Sequence, residues 1–123
     1  MKRRLGFLLG SLIILTSAAC GGEAKAHVAV QSFEFRPPEI SVEAGTEVSW
    51  VNEDRILHTV TSGIAGEQGV PGVSGDVEAS PDGRFDLDLD GRGSSAAFTF
   101  EQPGMYPYFC SFHSGMSGVV QVG

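Results

Sequence analysis

Beyond residue 20, the apolar positions of this chain recur at a spacing of two, in short segments. That period puts every second side chain on one face of an extended chain, which marks half-buried β-strands rather than helices. Val28 and Val30, then Phe33 and Phe35, alternate with other residues, with a slip of register near Ser32 that reads as a bulge. Pro37-Pro38 ends the run, since neither residue can donate to a ladder. Ile40 and Val42 form a further short strand, closed by a turn at Ala44-Gly45. Val48 and Trp50 belong to another, which ends at Asn52, and Leu57 to Thr61 to the next. Phe85, Leu87 and Leu89 alternate strictly with Asp86, Asp88 and Asp90, a strand with an acidic outer face. Residues 97–100, 105–110 and 117–122 complete the set, with a turn at Pro103-Gly104. Residues 63–83 break the pattern: Gly recurs at 63, 66, 69, 72 and 75, with Pro71 and Pro81, as in a long surface excursion with one weak strand near Val77. Short strands with turn signals at regular spacing predict an all-β fold, a Greek-key β-sandwich of seven to eight strands.

The first twenty residues follow a different logic. Lys2, Arg3 and Arg4 precede an apolar run from Leu5 to Leu15, too short to span a bilayer stably. Small residues then lead into Cys20. This is the layout of an export signal over 1–19, and Thr16-Ser17-Ala18-Ala19-Cys20 resembles a bacterial lipobox, in which Cys20 becomes the lipidated N-terminus. Ser17 departs from the aliphatic residue usual there, and cleavage without lipidation, after Ala19 or at Ala24-Lys25-Ala26, is the competing expectation. Residues 20–27 read as lipidated Cys and tether, and 28–123 as the folded domain. Removal of the signal leaves 104 residues, enough for one small domain. They hold five basic against fifteen acidic residues, a net charge of −10, which argues against a nucleic-acid partner.

Two cysteines in an exported chain suggest a disulfide, but Cys20 has a competing use. Cys110 is then a lone thiol in an oxidising compartment unless a metal occupies it. Its surroundings supply the reason: Cys110-Ser111-Phe112-His113-Ser114-Gly115-Met116 presents a thiolate, an imidazole and a thioether three residues apart each time. His58 offers a second imidazole from a distant strand. Two His, one Cys and a weak Met are the donors of a blue-copper site, a compromise between the thiolate and thioether preferred by Cu(I) and the imidazole preferred by Cu(II). Zinc fits less well, because thioether is a poor zinc ligand. Singly, Cys110 or Met116 would be core residues and either histidine an incidental surface residue. The conjunction points to one type 1 copper per chain, on His58, Cys110, His113 and Met116. His27 is given no role, and Asp86, Asp88 and Asp90 are read as a solvated face rather than a docking patch.

On these residues the chain resembles a cupredoxin of the plastocyanin/amicyanin family. The matching pieces are Phe33-Glu34-Phe35 with the proline pair, Gly45 to Asn52, His58-Thr59-Val60, Pro103 to Cys110, and His113 to Val119. The resemblance implies the cupredoxin sandwich and copper on the same four residues. The two-residue gap between His113 and Met116 is the short loop of amicyanin-like members. Two departures stand out: Leu57 replaces a frequent Pro, and Thr59 replaces the Asn that ties the ligand loops together in the family. Thr59 can bond Ser111 more weakly, so a looser hinge is expected.

These observations imply a non-enzymatic, extracytoplasmic one-electron carrier cycling Cu(II)/Cu(I). It would be a monomer, lipid-anchored on the outer face of a bacterial membrane or in the periplasm, exchanging electrons with a cytochrome or a copper or haem oxidoreductase. The alternative is a copper chaperone or storage protein, which the scarcity of methionine disfavours: beyond Met1 the chain has only Met105 and Met116.

Overall fold

The computed structural model describes residues 24–123. The expected export signal over 1–19 and the lipidation site at Cys20 lie outside the described residues. Among the described residues nine strands follow one another: β1 (Lys25–Gln31), β2 (Glu34–Arg36), β3 (Glu39–Val42), β4 (Thr46–Asn52), β5 (Leu57–Ile64), β6 (Ser80–Asp90), β7 (Ser95–Phe100), β8 (Gly104–Phe109) and β9 (Ser117–Val122). They form two sheets, one in the order β2-β1-β4-β7 and the other β3-β9-β8-β5-β6. The all-β sandwich expected from the alternation is present, with one strand more than the upper expectation.

The extra strand comes from the first run. Ser32 and Phe33 are not a bulge: both have positive φ (54° and 62°) and fold the run into a tight hairpin that pairs Val30 with Phe35. Non-glycine residues rarely adopt this conformation unless neighbours hold them there. The tether is also shorter than expected. Lys25, Ala26 and His27 are already in β1, running parallel to β4 with Lys25 opposite Glu47 and His27 opposite Ser49. The pairing of those three residues is backbone hydrogen bonding, which leaves no alternation to read in the sequence.

Alternate residues of both sheets meet in the core. Val28 and Val30 of β1, Val48 and Trp50 of β4, Phe85 and Leu89 of β6, Phe100, Tyr108, Val120 and Val122 are all buried. Trp50 has no exposed surface and lies amid Phe85, Phe100 and Tyr108, with ring centroids 6.1, 6.4 and 5.4 Å away. Tyr108 in turn meets Phe35 edge to face at 4.7 Å. This aromatic block fixes β8 two residues before Cys110.

Residues 65–79 form the excursion. A single bridge between Glu67 and Val77 closes it, the weak strand expected near Val77. Its last part is more regular than the glycines suggest, because β6 already begins at Ser80 and pairs with Ile64.

Candidate metal centre

The centre is assembled at one end of the sandwich from two chain segments. The first runs from β4 to β5. Asn52, fully buried at the end of β4, donates from Nδ2 to the carbonyls of Ile56 (2.8 Å) and Leu89 (3.0 Å). Its Oδ1 accepts the Asp54 amide at 2.9 Å. A buried amide so satisfied fixes the loop that delivers His58 into β5. His58 faces inward beside Leu89 and is fully buried.

The second segment is the loop after β8. Its closure follows from two backbone bonds: the Cys110 amide donates to the Met116 carbonyl (3.0 Å) and the Met116 amide to the His113 carbonyl (3.3 Å). Gly115, at φ 77°, supplies the left-handed residue that this tight loop needs. Cys110 and Met116 are buried, His113 is partly exposed, and Phe112 stands out into solvent.

The fold brings the donors together. One ligand atom from each of His58, Cys110 and His113 falls within 4.8 Å of the others. Cys110 Sγ lies 3.8 Å from His58 Nδ1 and 3.3 Å from His113 Nδ1. Met116 is tied by backbone to the same loop and buried beside it. One soft thiolate flanked by two borderline nitrogens in a buried pocket fits copper. His58 and His113 also pack ring against ring, with centroids 4.8 Å apart. Burial, and then the neighbouring His58, hold the His113 imidazole below the usual histidine range, against an opposing pull from Asp54. The neutral ring that results is the form able to bind a metal.

Three further features of the centre have no clear signal in the sequence. Asp54 accepts a hydrogen bond from His58 Nε2 at 2.9 Å, so the proton sits on Nε2 and Nδ1 is left free toward Cys110. The same carboxylate accepts the amides of Ser32 (2.9 Å) and Phe33 (3.1 Å), the residues with positive φ. Burial pushes the Asp54 carboxyl up, but the two amides and His58 outweigh it and hold its pKa below the usual value. Phe33, thus pinned, presents its ring edge-on to His58 and His113 at 5.8 and 5.0 Å. The third feature is a cavity of about 310 Å³ between the excursion and the ligand loop, lined among others by Glu67, Asp76, Glu78, His113 and Met116. An Asp four residues before a His, and a Phe after a Ser, carry no sequence signal strong enough to announce these roles.

The hinge between the two segments also differs from expectation. Ser111 donates its amide to Thr59 Oγ1 at 2.8 Å, the bond expected of Thr59. Thr61 Oγ1 lies 2.9 Å from both Thr59 Oγ1 and Ser111 Oγ, and donates to Asp86 Oδ1 at 2.8 Å. The Thr59 amide points at Cys110 Sγ, 3.4 Å away. Instead of one weaker bond and a looser hinge, a network of hydroxyls spans β5, β6 and the loop. His27, given no role, is hydrogen-bonded to Ser49 Oγ on β4.

A β-sandwich with a His-Cys-His cluster at one end, two of its members buried, defines a class of copper protein. The chain belongs to the family of copper binding proteins that comprises plastocyanin and azurin, which it matches over residues 22–123, and copper is its cofactor. It is 30% identical to amicyanin-alpha of Methylorubrum extorquens, over 92% of this chain and 82% of that protein. It is 33% identical to the chloroplastic plastocyanin of Physcomitrium patens over 91% of this chain, and 30% identical to the amicyanin of Paracoccus versutus over 77%. The matches span 64% and 62% of those two longer proteins. Among solved structures, a purple cupredoxin from Nitrosopumilus maritimus superposes with a TM-score of 0.61 at 25% identity, covering 80% of this chain and 99% of that one. A point variant of amicyanin in its reduced state gives 0.58 at 26% identity, over 83% and 85%.

Proposed function

We propose that His58, Cys110, His113 and Met116 hold one type 1 copper, and that the protein is an exported one-electron carrier. The observation that carries this is the convergence of Cys110 Sγ, His58 Nδ1 and His113 Nδ1, from segments about fifty residues apart, into one pocket set by the fold. Bound copper supplies a Cu(II)/Cu(I) couple, and the chain supplies everything else. Asp54 holds the His58 tautomer, Thr59 N–H directs a dipole at the thiolate, and the aromatic core beneath β8 resists rearrangement when charge changes. With four donors from the chain, no coordination position is set aside for a substrate, which supports a carrier rather than an enzyme. His113, partly exposed beside the solvent-facing Phe112, is the proposed point of electron entry and exit, with a cytochrome or a copper or haem oxidoreductase as partner.

Export rests on residues 1–20: a basic start, a short apolar run and Cys20 as the proposed lipid anchor. The domain would then sit on the outer face of a bacterial membrane or in the periplasm, as a monomer.

Copper(II) added to the purified protein tests the centre. The expected result is an intense thiolate-to-copper absorption that is lost in Cys110→Ser, because an alkoxide or hydroxyl gives no low-energy charge transfer. A colourless Cu(I)-only complex would favour copper storage or delivery, and a blue band surviving in Cys110→Ser would refute the ligand assignment.

A further inference from the structure

We propose that Asp86, a residue of the acidic outer face of β6, is a positioning residue for the metal centre and acts through Thr61 to lock the hinge between His58 and Cys110. The proposal rests on the copper reading above and extends it to a side chain that binds no metal. Asp86 lies directly opposite Thr61 in the β5–β6 ladder, so the two side chains share a face. An ionised carboxylate can only accept, so the Thr61 hydroxyl must spend its single proton on Asp86. Thr61 Oγ1 is then an acceptor for both its other neighbours, and the hydroxyls of Thr59 and Ser111 must donate to it. Thr59 Oγ1, its proton committed, is left as the acceptor for the Ser111 amide. One carboxylate therefore sets the direction of three hydroxyl groups, one of which accepts the amide that follows Cys110.

The reach of this network is short and specific. Thr59 and Thr61 are buried, so their hydroxyls have little water to turn to if the order is broken. Thr59 also carries the amide aimed at Cys110 Sγ. Loosening the Thr59–Ser111 link frees the thiolate from that dipole as well as from its place beside His58. Asp88, one ladder step away and opposite Thr59, carries the same charge on the same face but is not part of this network. It serves as the internal control.

The test uses the full chain, copper-loaded and reduced, with two readouts: hydrogen exchange of the Ser111 amide by NMR, and the reduction potential. Asp86→Ala and Thr61→Val should each speed Ser111 exchange on the order of tenfold, the worth of about one hydrogen bond. Thr61→Ser, which keeps the hydroxyl, and Asp86→Asn, whose amide oxygen still accepts, should restore slow exchange. Asp88→Ala should leave it unchanged. The potential of Asp86→Ala should move further than that of Asp88→Ala, and Thr61→Val should move it without any change of charge. In Ser111 exchange the double variant Asp86→Ala/Thr61→Val should go no further than either single change, because both cut one chain. Equal behaviour of Asp86→Ala and Asp88→Ala, or additive effects in the double variant, would overturn the proposal. Absence of the blue complex in the unsubstituted protein would instead overturn the copper reading, while the exchange rates of the same chain still decide whether Asp86 locks the hinge.

Discussion

Asp54 shows how much one exposed-looking carboxylate can organise. It holds two amides of a turn in the left-handed region, fixes the proton of His58 on Nε2, and thereby keeps the Phe33 ring against both histidines. Asp54→Ala should therefore destabilise the protein by about 2 kcal/mol, since the hydrogen bonds to a charged group that hold the strained turn in place are lost. Urea unfolding measures this, and a midpoint equal to that of the parent would show that Ser32 and Phe33 hold their conformation unaided. At this scale the proposed ligands are legible in the sequence and their supports are not. Cys110, His113 and Met116 announce themselves because metal chemistry demands particular atoms at particular spacing. Asp54 holds Phe33 from 21 residues away and Asp86 holds Thr61 from 25, and only the folded sheets bring those partners near. Thr59 was identified as the hinge residue, but its reinforcement by Thr61 depends on the register of β6.

Between elements, β8 and β9 meet closely where Tyr108 faces Gly118. A Cβ on Gly118 would overlap the Tyr108 ring and lie 2.9 Å from the Pro38 carbonyl. Tyr108 cannot retreat, because Trp50 and Phe35 pack against it. Gly118→Ala should cost roughly 1–3 kcal/mol through overpacking, read as a lower urea midpoint. An unchanged midpoint would mean that the aromatic block is looser than its packing implies. The mouth of the excursion offers a second test. Ser62 donates to Asp82, and with the Arg84 amide and charge this holds the Asp82 carboxyl below its usual value despite some burial. A depressed folded pKa stabilises above the unfolded value, near 3.9, and that contribution disappears as pH falls through the folded pKa. The stability difference between the parent and Asp82→Asn should be present at neutral pH and shrink below about pH 4. Thermal unfolding across that range checks it, and a gap that is flat with pH would exclude the linkage. Strands such as β6 were readable because apolar and acidic residues alternate strictly. The start of β1 was not, since Lys25 to His27 are held by pairing to β4, and the excursion was not, since its glycines fit many paths.

For the whole molecule the governing quantity is charge. The chain carries −7 overall, and the portion after the expected export signal carries five basic and fifteen acidic residues. Part of this lies close to the proposed electron port: Glu67, Asp76 and Glu78 line the cavity beside His113, with no Lys or Arg lining it among the described residues. A field of one sign beside a port raises the local concentration of oppositely charged reactants and lowers that of like-charged ones. Salt screens both effects, with a Debye length of about 10 Å at 0.1 M. Small inorganic oxidants isolate this property from protein docking, because they have charge but no surface to match. Oxidation of the reduced copper protein by a cationic cobalt(III) complex should slow severalfold as ionic strength rises from about 0.01 to 0.2 M. Oxidation by hexacyanoferrate(III) should speed up over the same range. Stopped-flow recovery of the blue band gives both rates. Replacing Glu67, Asp76 and Glu78 together by Gln should flatten both dependences more than replacing three acidic residues at the far end of the sandwich. Equal effects of the two triple variants would mean that electrons sense the net charge alone, and that the acidic edge of the excursion is not next to the route they take.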